Sequence, residues 1–374
     1  MKFTCSASVL KDNLALVSRA VPSRPVHSIL ANVKVEVVGG EVIFSAFDLS
    51  LGIQTRFECD VEQEGILAIP AKLLNDVVGK LPSGDVTLDD LAGECLVTLK
   101  AATSTFKIKG YSAEEFPDLP AEAGISHQFT STAFSTGIKR TVFACSEDET
   151  KRILQGVNLK ISTQSLEFAA TDGHRLGLVE LVTPYYIEQP KKSDEVQELT
   201  IPVAALKSVQ AMLGTEEQIE MRYSSEQVTF KSANWILTSR TLEGKYPAYR
   251  SLIAKIFDRN VTLDRKEVLE SLERIAVFTD SNHLVKLAIN GATSQLDLSV
   301  ENQVGGNGYE SLNAEINGAD LTLTFNLKYL IEGLKSLVTD KILMELNGAK
   351  NPVIFTPIGE ISAGLHLLMP VNNQ

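Results

Sequence analysis

Cysteine is scarce: the four in 374 residues, Cys5, Cys59, Cys95 and Cys145, form no Cys-x-x-Cys pair. Such spacing excludes a zinc ribbon and offers no disulfide framework, so buried, reduced thiols are expected. The five histidines show no His-x-x-x-His spacing, and neither a metal nor a cofactor is expected. No apolar run approaches the roughly 18 residues of a membrane helix. The opening Met-Lys-Phe-Thr-Cys-Ser lacks the apolar stretch and cleavage site of a secretory signal, so the expected address is cytoplasmic, with no membrane partner. No Gly-x-x-x-x-Gly-Lys-Ser/Thr phosphate loop occurs; Gly305-Gly306-Asn307-Gly308 has no lysine and reads as a hairpin turn. Positive charge is short as well. With 35 Lys and Arg against 47 Asp and Glu, the net charge is −12, which excludes a protein that grips nucleic acid through a generally basic surface.

What is present describes a globular chain, 44% hydrophobic and 22% charged. Its length exceeds what one hydrophobic core sustains, and three domains of about 125 residues suit it. An internal repeat with a period of about 128 residues supports that division. In the first third, an alternating strand over 2–6 leads into an amphipathic helix carrying Leu10, Leu14 and Val17, followed by strands over 29–38 and 41–45. The middle third repeats the order with a strand over 127–131, a helix over 132–144 and strands over 154–161 and 165–170. The last third does so with 261–263, 264–277, 284–289 and 295–300.

Each third also announces a second helix, at Ile69-Pro70-Ala71-Lys72, Ile201-Pro202-Val203-Ala204 and Phe325-Asn326-Leu327-Lys328. In the first two, proline suits the first helical turn, where its missing N–H costs nothing. Alternating strands follow each second helix, at 85–88 with 96–99, 219–222 with 227–232 and 342–346 with 353–357. Proline-bearing stretches at 116–124 and 246–255 read as linkers. The six expected helices carry a net charge of +5, leaving −17 for everything else. If one face of every unit presents its helices to a common partner, that partner is a polyanion; taken alone, the charges read as solvated helix faces.

The nearest approach to a catalytic constellation is Thr171-Asp172-Gly173-His174-Arg175-Leu176. Adjacent turn residues point apart and no activated nucleophile stands beside them, so a turn in which Asp172 bonds the backbone and Gly173 takes positive φ is the plainer reading.

That string, together with Glu243-Gly244-Lys245-Tyr246-Pro247-Ala248-Tyr249-Arg250, Phe116-Pro117-Asp118-Leu119-Pro120 and Leu368-Met369-Pro370-Val371, resembles the beta subunit of bacterial DNA polymerase III, the sliding-clamp family, over the whole chain. The resemblance implies an α+β fold of three clamp domains at 1–122, 126–253 and 254–374, each with two helices packed on antiparallel sheets. It further implies a head-to-tail homodimer forming a six-domain ring around double-stranded DNA, without sequence preference or catalysis. Such a ring tethers the polymerase for processive synthesis. A hydrophobic cleft is implied at Leu154, Thr171, Gly173, His174, Arg175, Leu176, Pro247, Leu252, Pro352, Leu367, Met369, Pro370 and Val371, with Arg175 supplying orienting hydrogen bonds. Its implied ligands are short motifs of the DNA polymerase III alpha subunit, the clamp loader delta subunit and other clamp-motif proteins. Implied DNA contacts are Arg24, Lys72, Lys151 and Arg152, with Ile153 where some relatives carry an aromatic residue. Implied interface residues are Phe106 and Ile108 of one chain against Val277 and Phe278 of the other. The polar ending Asn372-Asn373-Gln374 departs from the family's basic and apolar ending. Two other classes stay open beside this one: a hydrolase or nuclease, for which no carboxylate cluster is found, and a protein scaffold that never meets DNA.

Overall fold

The computed structural model describes all residues except 92–94, 163, 183–195, 215–217, 303–304, 361–362 and 372–374. Six helices are present among the described residues: α1 (Ala7–Val17), α2 (Ala71–Val78), α3 (Ser131–Thr141), α4 (Val203–Met212), α5 (Arg265–Ile275) and α6 (Leu327–Ser336). They fall at the expected places, two to each repeat. Three begin at residues whose short polar side chains accept a first-turn N–H: Ser6 from Val9 at 3.3 Å, Asp264 from Glu267 at 2.9 Å and Asn326 from Tyr329 at 3.1 Å. Asp264 therefore caps α5 instead of entering it. Pro70 and Pro202 stand one residue earlier than expected, closing the strands Gly65–Pro70 and Gln197–Pro202. Both strands lie at sheet edges, where a missing ladder donor is tolerated.

The chain divides into two compact units, one of residues 1–131 and 204–241, the other of 132–203 and 242–374. In the first, a five-stranded sheet runs Asp60–Gln63, Lys2–Ser6, Asp85–Leu91, Leu96–Ala101, Ser104–Lys109. An eight-stranded sheet joins two repeats by pairing Trp235–Arg240 antiparallel with Leu51–Glu58. In the second unit, a nine-stranded sheet does the same by pairing Arg175–Val182 with Ala363–Leu368. A four-stranded sheet ordered Gly306–Asn313, Gln295–Asn302, Leu284–Asn290, Leu321–Asn326 completes that unit. Gly306, Asn307 and Gly308 thus belong to a paired strand and not to the expected hairpin turn; glycine there leaves room for the Phe278 ring beside Gly308.

The helices bury one apolar stripe each, as amphipathic elements must. Leu10, Leu14 and Val17 of α1 are fully buried. Val268, Leu272 and Ile275 of α5 join Leu327, Leu330 and Leu334 of α6 in one core with Leu287, Leu298 and Phe325 of the sheet beneath. A single 3-10 turn, Arg152–Gln155, replaces the first residues of the strand expected from Leu154, which begins instead at Gly156.

Candidate docking cleft and charged surface

Strand pairing brings the expected cleft stretches together. Arg175 faces Leu368, Leu176 faces Leu367, and Leu367 in turn faces Ile354. Leu176, Leu367 and Ile354, with Ala169, Leu178, Tyr246 and Tyr249, form a buried apolar floor; Ile153, Leu154, Ile253, Phe257, Leu365 and Met369 pack on it half-buried. Around this floor, Gly173, His174, Pro247, Leu252 and Val371 are exposed, Pro352 is half-buried, and Pro370 and Thr171 are buried. The Met369 N–H donates to the His174 carbonyl at 2.9 Å, and the Val371 N–H to the Thr324 carbonyl at 2.7 Å, fixing the chain end to both neighbouring stretches. An apolar floor with a rim of adaptable methionine, leucine and proline suits short apolar anchors of varied shape. The terminal residues 372–374, where the departure in sequence lies, fall outside the described residues.

The turn at Thr171–Arg175 is held from within. Asp172 Oδ1 accepts the N–H groups of His174 at 2.8 Å and Arg175 at 3.1 Å, and Gly173 sits at φ +98°, where a side chain is strained. The Thr171 hydroxyl donates to the Arg175 carbonyl at 2.6 Å, while the Tyr246 hydroxyl accepts the Thr171 N–H at 3.0 Å. Burial pushes the Tyr246 phenol well above its usual range, so it stays a neutral partner.

Arg175 closes the turn. Its side chain is buried, and the guanidinium donates to Asp172 at 2.9 Å and to Glu332 of α6 at 2.5 Å while lying over the Tyr329 ring, 4.1 Å from the centroid. Those contacts clasp the turn to the last repeat. A second clasp secures the linker. Glu167 is buried and ion-paired with Arg250, accepts the Tyr249 hydroxyl at 2.5 Å, and lies 3.8 Å from Lys160. Tyr246, Tyr249 and Ile354 of the floor, and Glu332 behind Arg175, were not legible as site residues; the one signal was the aromatic pair around Pro247.

The charge on the helices is unevenly available. In the last repeat, Arg274 pairs with Glu310 at 2.6 Å, Lys335 with Glu273 at 2.7 Å, and Lys266 and Lys328 lie 3.9 and 4.0 Å from Glu270 and Glu332. Arg140 of α3 is buried against Glu360. By contrast Lys11, Lys72, Lys80, Lys139 and Lys207 are exposed without an ion pair among the described residues, as are Arg24, Lys151 and Arg152. Lys151 also donates to the Asp172 carbonyl at 3.4 Å, which ties it to the cleft turn.

Of the expected interface residues, Val277 is 81% exposed, and Phe106 and Phe278 each 38%. Ile108 is only 1% exposed: it faces Val97 within its own sheet and is committed to that core. Phe106 lies on Ser104–Lys109 and Phe278 touches Gly308 on Gly306–Asn313, each the outermost strand of its sheet.

Three family models together span the chain: the N-terminal domain of the DNA polymerase III beta subunit at residues 1–120, the central domain at 128–248 and the C-terminal domain at 250–372. The beta sliding clamp of Synechococcus elongatus is 43% identical over 379 residues, covering 99% of each chain. That of Bacillus subtilis is 30% identical, again across 99% of each. Among solved structures, the Bacillus subtilis DNA polymerase sliding clamp superposes with a TM-score of 0.89 at 27% identity over the whole of both chains. A Bartonella birtlesii sliding clamp crystallised with griselimycin does so with 0.89 at 27%. The chain belongs to the DNA polymerase III beta subunit family, the bacterial beta sliding clamps.

Proposed function

We infer that the chain is a DNA sliding clamp, a processivity factor without catalytic activity of its own, which encircles duplex DNA and tethers the replicative polymerase. The observation that carries this is likeness to beta sliding clamps over the full length, in sequence and in backbone. A tether of this kind needs topology more than grip. Exposed, unpaired lysines and arginines on an otherwise acidic chain favour sequence-neutral phosphate contact that permits sliding. Retention on closed circular DNA, lost when the circle is linearised, is the expected result; equal retention on both forms overturns the reading.

The domains proposed are 1–122, 126–253 and 254–374, paired across two chains in a head-to-tail ring. Two outermost strands, Ser104–Lys109 and Gly306–Asn313, offer unpaired edges that can join between chains. Exposed Phe106, Val277 and Phe278 supply the apolar contact beside them, with Ile108 supporting from the core. Phe278→Asp places a charge in that contact at a cost on the order of several kcal/mol and is expected to yield monomers in sedimentation at micromolar concentration. A variant that still sediments as a dimer removes Phe278 from the interface.

DNA contact is assigned to Arg24, Lys72, Lys151 and Arg152. Reversing the charge at Arg24, Lys151 and Arg152 is expected to weaken DNA binding at low salt, with the gap to the parent narrowing as salt rises, because phosphate contacts release counterions. Identical binding at every salt concentration eliminates these three. The cleft receives linear motifs of the polymerase alpha subunit, the clamp loader delta subunit and repair proteins; deleting residues 369–374 is expected to abolish capture of such a peptide in calorimetry. A cytoplasmic address belongs with this reading, and among the described residues no helix is long and apolar enough to cross a membrane.

A further inference from the structure

Of the four thiols, Cys5 lies on the strand Lys2–Ser6 and Cys59 immediately precedes the strand that pairs with it. Lys2–Ser6 pairs antiparallel with Asp60–Gln63, Phe3 facing Val61 and Thr4 facing Asp60. Continued one step past Thr4 and Asp60, that register brings Cys5 toward Cys59, which links Leu51–Glu58 to Asp60–Gln63. Side chains alternate across a sheet, so Cys5 shares the face of Phe3 and Cys59 that of Val61. Cys5 is buried there and Cys59 half-buried, both as free thiols. Directly opposed residues bring their Cβ atoms to about 4.5–5.5 Å, and a disulfide spans about 3.5–4.5 Å, so closure draws the two backbones together from the near end of that range. The Cys59 N–H donates to the Gly40 carbonyl at 3.2 Å, which holds its backbone at the strand end. Burial pushes the Cys5 thiol up to about 12, and neighbouring Cys59 is the next contributor; burial pushes Cys59 up to about 11, with Asp60 adding to it.

We propose that Cys5 and Cys59 are a redox-responsive pair that closes to an intramolecular disulfide when the chain meets a small-molecule disulfide, stapling the edge strand Asp60–Gln63 to Lys2–Ser6. Cys59 reacts first, being the more exposed and the more acidic of the two. Its thiolate attacks one sulfur of the oxidant, whose S–S bond breaks. One half departs as a thiolate and takes up a proton; the other remains on Cys59 as a mixed disulfide. The Cys5 thiolate then attacks Sγ of Cys59 and releases the second half as a thiol. In sum, two protein thiols are oxidised and one disulfide is reduced to two thiols. Because both thiols titrate far above neutrality, the thiolate is rare at pH 7 and closure is slow there, which keeps the pair reduced through brief exposure. Once closed, the staple ties the chain across the span from residue 5 to residue 59 and restricts the unfolded state.

The test uses the full-length protein incubated with oxidised glutathione and mapped by mass spectrometry without reduction. A linked Cys5–Cys59 peptide, loss of two alkylatable thiols and a Tm higher by a few degrees are expected. The closure rate should rise about tenfold per pH unit between pH 7 and 9, following the thiolate population. Cys5→Ser should accumulate the glutathione adduct on Cys59, whereas Cys59→Ser should leave Cys5 unmodified. An adduct on Cys59 in Cys5→Ser with no linked peptide in the parent protein places the two sulfurs too far apart and overturns the proposal. Absence of any adduct on Cys59 overturns it equally. Should Cys5→Ser lose its far-UV circular dichroism, Cys5→Ala replaces it, and the parent map decides in either event.

Discussion

Arg175→Ala is expected to lower folding stability by about 3 kcal/mol and to weaken capture of a polymerase-derived peptide at least tenfold, although the side chain is buried. Removing one partner of a buried ion pair strands the other charges, which is far costlier than the pair's own net contribution. Here two carboxylates are left, Asp172 and Glu332, and the Tyr329 ring loses the cation stacked on it. Asp172 simultaneously fixes the turn through two backbone N–H groups, so its reorientation also frees His174, whose carbonyl holds the Met369 N–H. Lysine at 175 should recover little, because a point charge cannot serve both carboxylates and stack as the planar guanidinium does. Glu332→Gln gives the discriminating measurement. It lies on α6, away from the apolar floor, and a clasp predicts that it too weakens peptide binding, by a smaller factor. Calorimetry showing Glu332→Gln at parental affinity, with Arg175→Ala reduced but fully stable in urea, makes Arg175 a direct ligand and refutes the clasp.

Local patterns carried most of the fold. Periodicities of 3.6 and 2 placed all six helices and most strands within a few residues, because one buried face per element is written into neighbouring positions. The repeat then ordered them. Pairing across repeats was not legible. Trp235 opposite Thr55 and Leu176 opposite Leu367 join strands some 180 or more residues apart, and nothing in a strand's own alternation names its partner. The expected cleft shares that limit: its member stretches come from resemblance, while the contacts that tie them together, Arg175 to Glu332 and Tyr246 to Thr171, cross 157 and 75 residues. Helix charge misled in a related way. A count along α5 and α6 cannot see that Arg274 is already paired with Glu310 on a strand, so the usable positive charge is richer in the first two repeats than the sum implied. Ile108 shows how alternation alone falls short at an edge strand. It and Phe106 share one face and stand opposite buried Val97 and Leu99, yet Ile108 is 1% exposed and Phe106 38%.

His366 leads to the other large effect. The ring is fully buried on the strand Ala363–Leu368, stacked on Phe355 at 5.7 Å and edge-on to Phe143 at 5.2 Å. A methyl group added at Gly333 of α6 would collide with it, so the helix packs directly on the ring. Burial, reinforced by the Arg175 guanidinium and opposed by a backbone contact with Leu176, pushes its pKa down to about 3 from an ordinary 6.5. The direction fixes the sign of the pH dependence. Below pH 6.5 the unfolded chain takes up a proton that the folded chain refuses until about pH 3, so stability is complete above 6.5 and drains away as pH falls through that window. Between pH 6.5 and 4.5 this one group removes about 2 kcal/mol, at roughly 1.4 kcal/mol per pH unit once the unfolded chain is protonated. His127, lowered by burial in the same sense, adds to the loss in any variant that retains it. His366→Leu fills much of the same space without a titrating group. It is expected to begin at lower stability, since no substitute reproduces two aromatic contacts, and then to lose about 2 kcal/mol less than the parent between the two pH values. Urea unfolding of both proteins at pH 6.5 and 4.5 measures the difference of differences, in which His127 and the surface carboxylates cancel. Equal losses in parent and variant would show that His366 is protonated alike in folded and unfolded chains, and would refute a neutral imidazole sealed beneath the cleft strand.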